Sequence, residues 1–235
     1  MPSDAALRTA REQLVDLARG DGFAGAAHAL IDLPTVPDPR PAAILILFGV
    51  LDGRPSTAET QASAVSRDLD VLLLSRATTL RAHPGQVAFP GGRLDPEDLG
   101  PVDAALREAR EETGLDPRGV DVLGVLPDVP LAFSGHVVTP VLGWWRHPTP
   151  VGVVDTAESS DVFRAPVADL LDPANRGVTV LRRDGREFRG PGFRVAHTTG
   201  EHLVWGFTAM LLAALFDRLG WTEPWDQARE LPLVL

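Results

Sequence analysis

The sequence predicts an α/β or α+β sandwich, and three observations predict it. Short apolar stretches at 42–50, 69–74, 120–126 and 137–144 read as strands, each bounded by Pro, Gly or polar residues. Segments with helical periodicity interrupt them irregularly, which excludes a repeat array. With 235 residues and 44% hydrophobic content, the chain has enough apolar material for a full core. The expectation is a single domain over 1–235 with an N-terminal helical extension over about 1–40.

Along the chain, Ala6, Leu7, Leu14, Leu17 and Ala18 share one helical face, so a short amphipathic helix starts near Asp4. Pro34, Pro37, Pro39 and Pro41 then remove backbone donors and make an extended connector. The apolar run 42–50 reads as a buried strand, 52–68 as a polar loop and 69–74 as a second buried strand. Strands at 120–126 and 137–144 flank a loop containing Pro and Gly. Asp184-Gly185 supplies a tight turn between strands at 178–181 and 187–189. The segment 202–219 is apolar on nearly all sides, as expected of a helix packed well into the fold.

A formal net charge of -10 argues against broad attraction to nucleic acid or an anionic membrane. Any anionic ligand must be held locally. Without cysteine there is no thiolate nucleophile, disulfide framework or Cys-based metal site. No apolar run approaches the about 20 residues needed to span a bilayer, and the N-terminal segment lacks a signal-peptide core. A cytoplasmic location is the expectation.

The stretch that carries chemistry is Phe89-Pro90-Gly91-Gly92 followed by 107–115. Pro101 suits a first helical turn and Gly114 a C-terminal cap, so a helix from Pro101 to Thr113 is expected. On it Glu108, Glu111 and Glu112 stand at i, i+3 and i+4 and share one face. Val102, Leu106, Ala109 and Thr113 occupy the roughly opposite face. Taken alone, three glutamates on a helix are a solvated face. Like charges at this spacing repel, however, and a hard divalent cation with a preference for oxygen turns that cost into a binding site. Gly91-Gly92 lets the backbone turn sharply and bring a carbonyl to the same point.

At these residues the chain resembles the Nudix family, whose box runs Gly, five residues, Glu, seven residues, then Arg-Glu-apolar-x-Glu-Glu-x-Gly-apolar. The second half matches from Arg107 to Leu115. Counting back from Arg107 puts Leu99 in the acidic slot and Arg93 in the glycine slot; one inserted residue restores Gly92 and places Asp98 there. The resemblance implies an α/β/α sandwich with a mixed β-sheet and a catalytic loop–helix–loop. It also implies Mg²⁺ or Mn²⁺ held chiefly by Glu108 and Glu112, with Gly92 nearby and Glu111 as a further ligand or as the group directing water. Arg107 orients Glu111 or Asp98 rather than touching metal, since guanidinium pairs with carboxylates. Glu158 aligns with an acidic position and is a candidate base or ligand, although a surface role is the ordinary one for such a residue.

Upstream, 72–77 followed by Arg81, His83, Gly85, Gln86 and Phe89 resembles the extension of the coenzyme A diphosphatase branch, with Leu74 replacing its usual Thr. The resemblance continues through Ser134-Gly135, Pro166 and 204–206. It implies metal-dependent hydrolysis of coenzyme A to 3′,5′-ADP and 4′-phosphopantetheine. Arg76 and Arg81 then contact phosphate, and His83 is assigned to substrate binding. ADP-ribose, NADH or another nucleoside diphosphate derivative is the alternative substrate, and a non-catalytic ligand sensor the alternative class. The partner expected is a small nucleoside diphosphate compound, neither nucleic acid nor membrane, with a homodimer left open. Arg182, Arg183, Arg186 and Arg189 read as exposed strand positions, and Trp144, Trp145 and Trp205 as core rather than adenine-stacking groups.

Overall fold

The computed structural model of the chain describes residues 9–20, 38–50, 56–79, 85–131, 134–183, 185–197 and 200–233. Its first helix, α1 (Ala10–Arg19), is capped by Thr9 rather than starting near Asp4. The Thr9 N–H donates to Glu12 Oε2 at 2.8 Å while the Glu12 N–H donates to Thr9 Oγ1, a reciprocal capping box. Ala6 and Leu7, assigned to the same helix from sequence, lie outside the described residues. Leu14 is fully buried, and Trp221 Nε1 donates to Gln13 Oε1 at 2.7 Å. The helix is thereby fastened to the core.

The larger sheet is built around β1 (Arg40–Val50), which starts before the predicted strand and takes in the end of the proline connector. It runs antiparallel to β2 (Leu69–Arg76) and parallel to β7 (His136–Trp145), making the sheet mixed. Beyond β2 lies β3 (Val87–Ala88), beyond β7 lies β5 (Val120–Val125), and β6 (Val129–Leu131) pairs with β7. Two further strands complete it, β4 (Gly91–Arg93) on β1 and β8 (Ser159–Pro166) on β2; like β3 and β6, they are absent from the sequence reading. A two-residue periodicity sends alternate side chains of β1 to opposite faces. Ile46 and Phe48 enter one buried cluster, and Ala43, Leu45 and Leu47 enter the other. Since both faces of β1 are covered, its sequence is continuously apolar rather than alternating.

On one face of this sheet lies α2 (Pro101–Thr113), with the boundaries expected from Pro101 and the left-handed cap at Gly114 (φ 72°). Its packing face is centred on Ala104, Ala105 and Ala109, all fully buried, with Val102 and Leu106 only partly buried at the flank. Small side chains let the helix axis approach β1 closely, a distinction hydrophobicity alone does not make. On the other face Ala209, Leu211, Leu212, Leu215 and Phe216 of α4 (Gly206–Leu219) are buried. The helix is shorter than the 202–219 segment predicted, because His202 belongs to β11 (Gly200–Val204). Gly206, at φ 64°, makes the turn from strand to helix.

A second sheet contains β11, β10 (Arg186–His197), β9 (Arg176–Arg183) and β12 (Glu230–Leu231). Its β9–β10 hairpin turns at the predicted place, with Arg186 opposite Arg183 and Gly185 at φ 71°. A short α3 (Val167–Leu171) follows β8. The result is the expected α/β/α sandwich, with the second sheet beside α4. Among the described residues no helix is long and apolar enough to cross a membrane.

Candidate active site

Strands β1 and β4 meet the C-terminal half of α2 at the glycine pair. Pairing of β4 with β1 sets Gly92 opposite Ala43 and Gly91 opposite Ile44. At Gly91 (φ 155°) a Cβ would lie 2.3 Å from the Ala43 carbonyl oxygen, so no side chain fits. The gap left at Gly92 is filled by a carboxylate: a Cβ there would lie 2.4 Å from Glu108 Oε1. The Gly91 N–H donates to Glu112 Oε2 at 2.9 Å. The glycine pair therefore brings the loop backbone into contact with two of the helix glutamates.

Arg107 joins the remaining groups. Its Nε and Nη2 donate to the two oxygens of Asp98, each at 2.9 Å, as a fork on a carboxylate. Its Nη1 reaches Glu108 Oε1 at 3.1 Å and Glu111 Oε2 at 3.0 Å, and Nη2 also donates to the Arg93 carbonyl at 3.1 Å. It orients both Asp98 and Glu111, where the sequence left a choice. The register is decided as well: Leu99 is 97% exposed, whereas the Asp98 side chain is covered by Arg107. Asp98 accordingly occupies the acidic slot, with the inserted residue accommodated by the turn in which the Asp95 N–H donates to Asp98 Oδ2 at 2.8 Å. The Arg107 hydrogen bonds hold the Asp98 carboxyl below the usual carboxylate range.

The helix carboxylates differ in environment. Glu111 is exposed, and Glu108 and Glu112 are half-buried. Desolvation pushes Glu112 from 4.5 up to about 7; Glu108 and Glu158 add to the rise, while the Gly91 N–H and Arg76 oppose it. Burial likewise raises Glu108, against the opposing effect of Arg107. Two partly dehydrated carboxylates against a glycine backbone, with a third on the same helix face, are the oxygen donor set that suits a hard divalent cation.

The NUDIX domain family model matches residues 58–182, a span that contains β2, the glycine pair, all of α2 and β8. The chain belongs to the Nudix family. Two bacterial relatives, both named "Uncharacterized Nudix hydrolase NudL", support the assignment. The one from Cronobacter sakazakii is 40% identical over 151 residues, covering 64% of this chain and 75% of the relative. The one from Salmonella paratyphi B is 41% identical over 157 residues, with the same coverage. Among solved structures, a MutT/nudix family protein from Enterococcus faecalis superposes with a TM-score of 0.45 at 16% identity, covering 91% of this chain and 74% of that one.

The chain is thus a Nudix hydrolase acting on pyrophosphate bonds, and Nudix hydrolases generally use divalent metals such as Mg²⁺ or Mn²⁺. The remaining candidates are arranged around the Nudix helix as follows. Arg76, at the end of β2, is close enough to Glu112 to favour its charged form, and its buried Nε has no hydrogen-bond partner. Glu158 is exposed, and its carbonyl accepts from the Ala77 N–H at 2.9 Å, which fixes it beside the end of β2. Arg81 and His83 lie outside the described residues. Just after them in sequence, the Gly85 N–H donates to the Arg76 carbonyl and the Arg76 N–H to that of Gln86.

Of the groups assigned to structure from sequence, Trp144 and Trp205 are partly buried. Trp145 is buried beside α2, with the Arg164 guanidinium 4.4 Å above its ring. Arg182 pairs with Glu187 at 3.0 Å, and Arg189 with Glu187 and Glu230. The sequence reading missed the Gly91 amide as the holder of Glu112. Only the fold shows that contact, because a backbone donor leaves no trace in residue type.

Proposed function

We propose that this Nudix hydrolase cleaves the diphosphate of coenzyme A or its derivatives, giving 3′,5′-ADP and 4′-phosphopantetheine. The observation that carries the reading is Arg76. A guanidinium with a buried, unpartnered Nε beside the carboxylate helix suits an anionic substrate that completes its hydrogen bonding. Arg76 also belongs to the 72–92 register that resembles the coenzyme A branch, and Arg81 and His83 of that register are assigned to substrate contact.

In this reading Glu108 and Glu112, with the Gly92 backbone, would hold Mg²⁺ or Mn²⁺. When bound, such an ion would supply charge neutralisation for the diphosphate and a lowered pKa for water. Glu111, held by Arg107, directs the attacking water or adds a further ligand, and Glu158 approaches from the end of β2 as base or ligand. Water oxygen forms the new P–O bond as the anhydride P–O bond breaks, and its proton passes to a carboxylate and then to solvent. Positioning and charge stabilisation carry most of the rate.

The deciding experiment is product analysis after separate incubation with coenzyme A, ADP-ribose and NADH, in Mg²⁺ or Mn²⁺ and in chelator. Metal-dependent formation of 3′,5′-ADP from coenzyme A, with a higher kcat/KM than for the other two, is the expected result. Preference for ADP-ribose or NADH would replace the substrate and leave the chemistry. Absence of turnover with all three would favour a ligand sensor.

A further inference from the structure

Away from the carboxylate helix, the two sheets meet at a cluster that the hydrolase reading leaves unused. His197 ends β10 and His202 lies on β11; since Val195 pairs with His202, the two histidines are diagonal neighbours on one face of the hairpin. Asp161 comes from β8 of the larger sheet, in register with Ser75 of β2. Asp161 Oδ2 lies 3.0 Å from His202 Nε2 and 3.4 Å from His197 Nδ1. Among the described residues, this is the only set of three His, Asp or Glu side chains whose ligand atoms all lie within 4.8 Å of one another.

The surroundings hold the imidazoles in place. Phe163, two residues along β8 from Asp161, stacks on His202 at 4.3 Å and 7° and lies 5.3 Å from the His197 ring. An aromatic floor under one side of the cluster fixes ring orientation and removes water from that side. All three side chains remain partly accessible, at 24% for His197 and 15% each for His202 and Asp161, so an ion has an entry path.

We propose that Asp161, His197 and His202 form a second metal site, selective for Zn²⁺ or a similar first-row transition ion and separate in ligand chemistry from the Nudix carboxylates. Two imidazole nitrogens and one carboxylate oxygen suit Zn²⁺, whereas Mg²⁺ favours all-oxygen sites. A tetrahedral ion with bonds of about 2.0–2.1 Å sets its ligand atoms about 3.3 Å apart, close to both spacings from Asp161. Three protein ligands leave the fourth position to water. Because Asp161 belongs to one sheet and the histidines to the other, the ion cross-links them and stabilises the folded state by mass action.

The test uses the full chain, stripped of metal and then held in excess Mg²⁺ to occupy the glutamates. Co²⁺ titration of the wild type should saturate at one equivalent with the visible spectrum of a four-coordinate ion, and Zn²⁺ should raise the thermal midpoint. Asp161→Asn and His202→Gln should each bind Co²⁺ more than about tenfold more weakly, since changes outside the first ligand layer already cost that much. Circular dichroism of the metal-free variants checks that they fold, and His197→Gln replaces any that does not. Glu112→Gln should bind Co²⁺ as the wild type does. Failure of the wild type to take up Co²⁺ in Mg²⁺, unchanged affinity in the folded cluster variants, or loss of the cobalt spectrum in Glu112→Gln would each overturn the proposal.

Discussion

Glu108 occupies the space that a side chain on Gly92 would take: a Cβ there would lie 2.4 Å from Glu108 Oε1 and 2.5 Å from its carboxyl carbon. The glycine therefore determines where the carboxylate sits. Because the obstructing atoms are the far end of a flexible side chain, Gly92→Ala should move Glu108 rather than unfold the chain. We expect a fall in activity of roughly tenfold or more at limiting metal, by analogy with changes that disturb ligand placement. The thermal midpoint should change little. Unaltered metal dependence in Gly92→Ala would separate Glu108 from metal binding.

Glu112→Gln should reduce turnover by roughly 10²-fold or more, since it removes a proposed ligand where even supporting changes cost 10–100-fold. The metal-free variant should nonetheless be at least as stable as wild type at alkaline pH. The folded-state pKa of Glu112 is raised from 4.5 to about 7, so its contribution is greatest below the unfolded value and is lost as pH rises through about 7. Paired denaturation curves in chelator, with activity measured in Mg²⁺, check both halves.

At limiting metal, wild-type activity should rise as pH passes through about 7, where Glu112 loses its proton and competition between proton and metal ends. Saturating metal should shift that rise to lower pH. A rise whose midpoint ignores metal concentration would assign it to another group.

Arg107→Lys keeps a positive charge but loses the planar fork that spans both oxygens of Asp98 while reaching Glu108 and Glu111. The expected outcome is a kcat lower by about tenfold to a hundredfold, with KM less affected, because positioning is lost while the metal ligands remain. Steady-state kinetics at saturating metal read the split, and a KM increase with unchanged kcat would place Arg107 in substrate binding instead.

Asp70 provides a stability test remote from the reaction. Its carboxyl is buried, Oδ2 lacks a hydrogen-bond partner, and desolvation pushes its pKa from 3.8 to about 8. An acid with a raised folded-state pKa binds more protons folded than unfolded, so its stabilising contribution falls as pH climbs through that window. Asp70→Asn should gain on wild type by about 1.4 kcal/mol per pH unit at most between about pH 5 and 8. Parallel denaturant midpoints across that range would show no widening difference if Asp70 titrates normally.

The sequence by itself determined the elements whose signals are local. Pro101, Gly114 and the periodicity between them set the helix, because caps and side-chain spacing act within a few residues. Glu108, Glu111 and Glu112 share a face for the same reason, and Asp184-Gly185 marks a hairpin turn from its own backbone preferences. The tertiary structure decided what depends on distant partners. Asp98 rather than Leu99 meets Arg107 because the inserted residue is taken up in a turn, and spacing cannot show how a loop absorbs an extra residue. His202 left the predicted helix for a strand because β10 offers it a partner, a pairing that outweighs local apolarity. Its approach to Asp161, 41 residues away in sequence, exists only where two sheets meet, since no local preference encodes contact between remote strands.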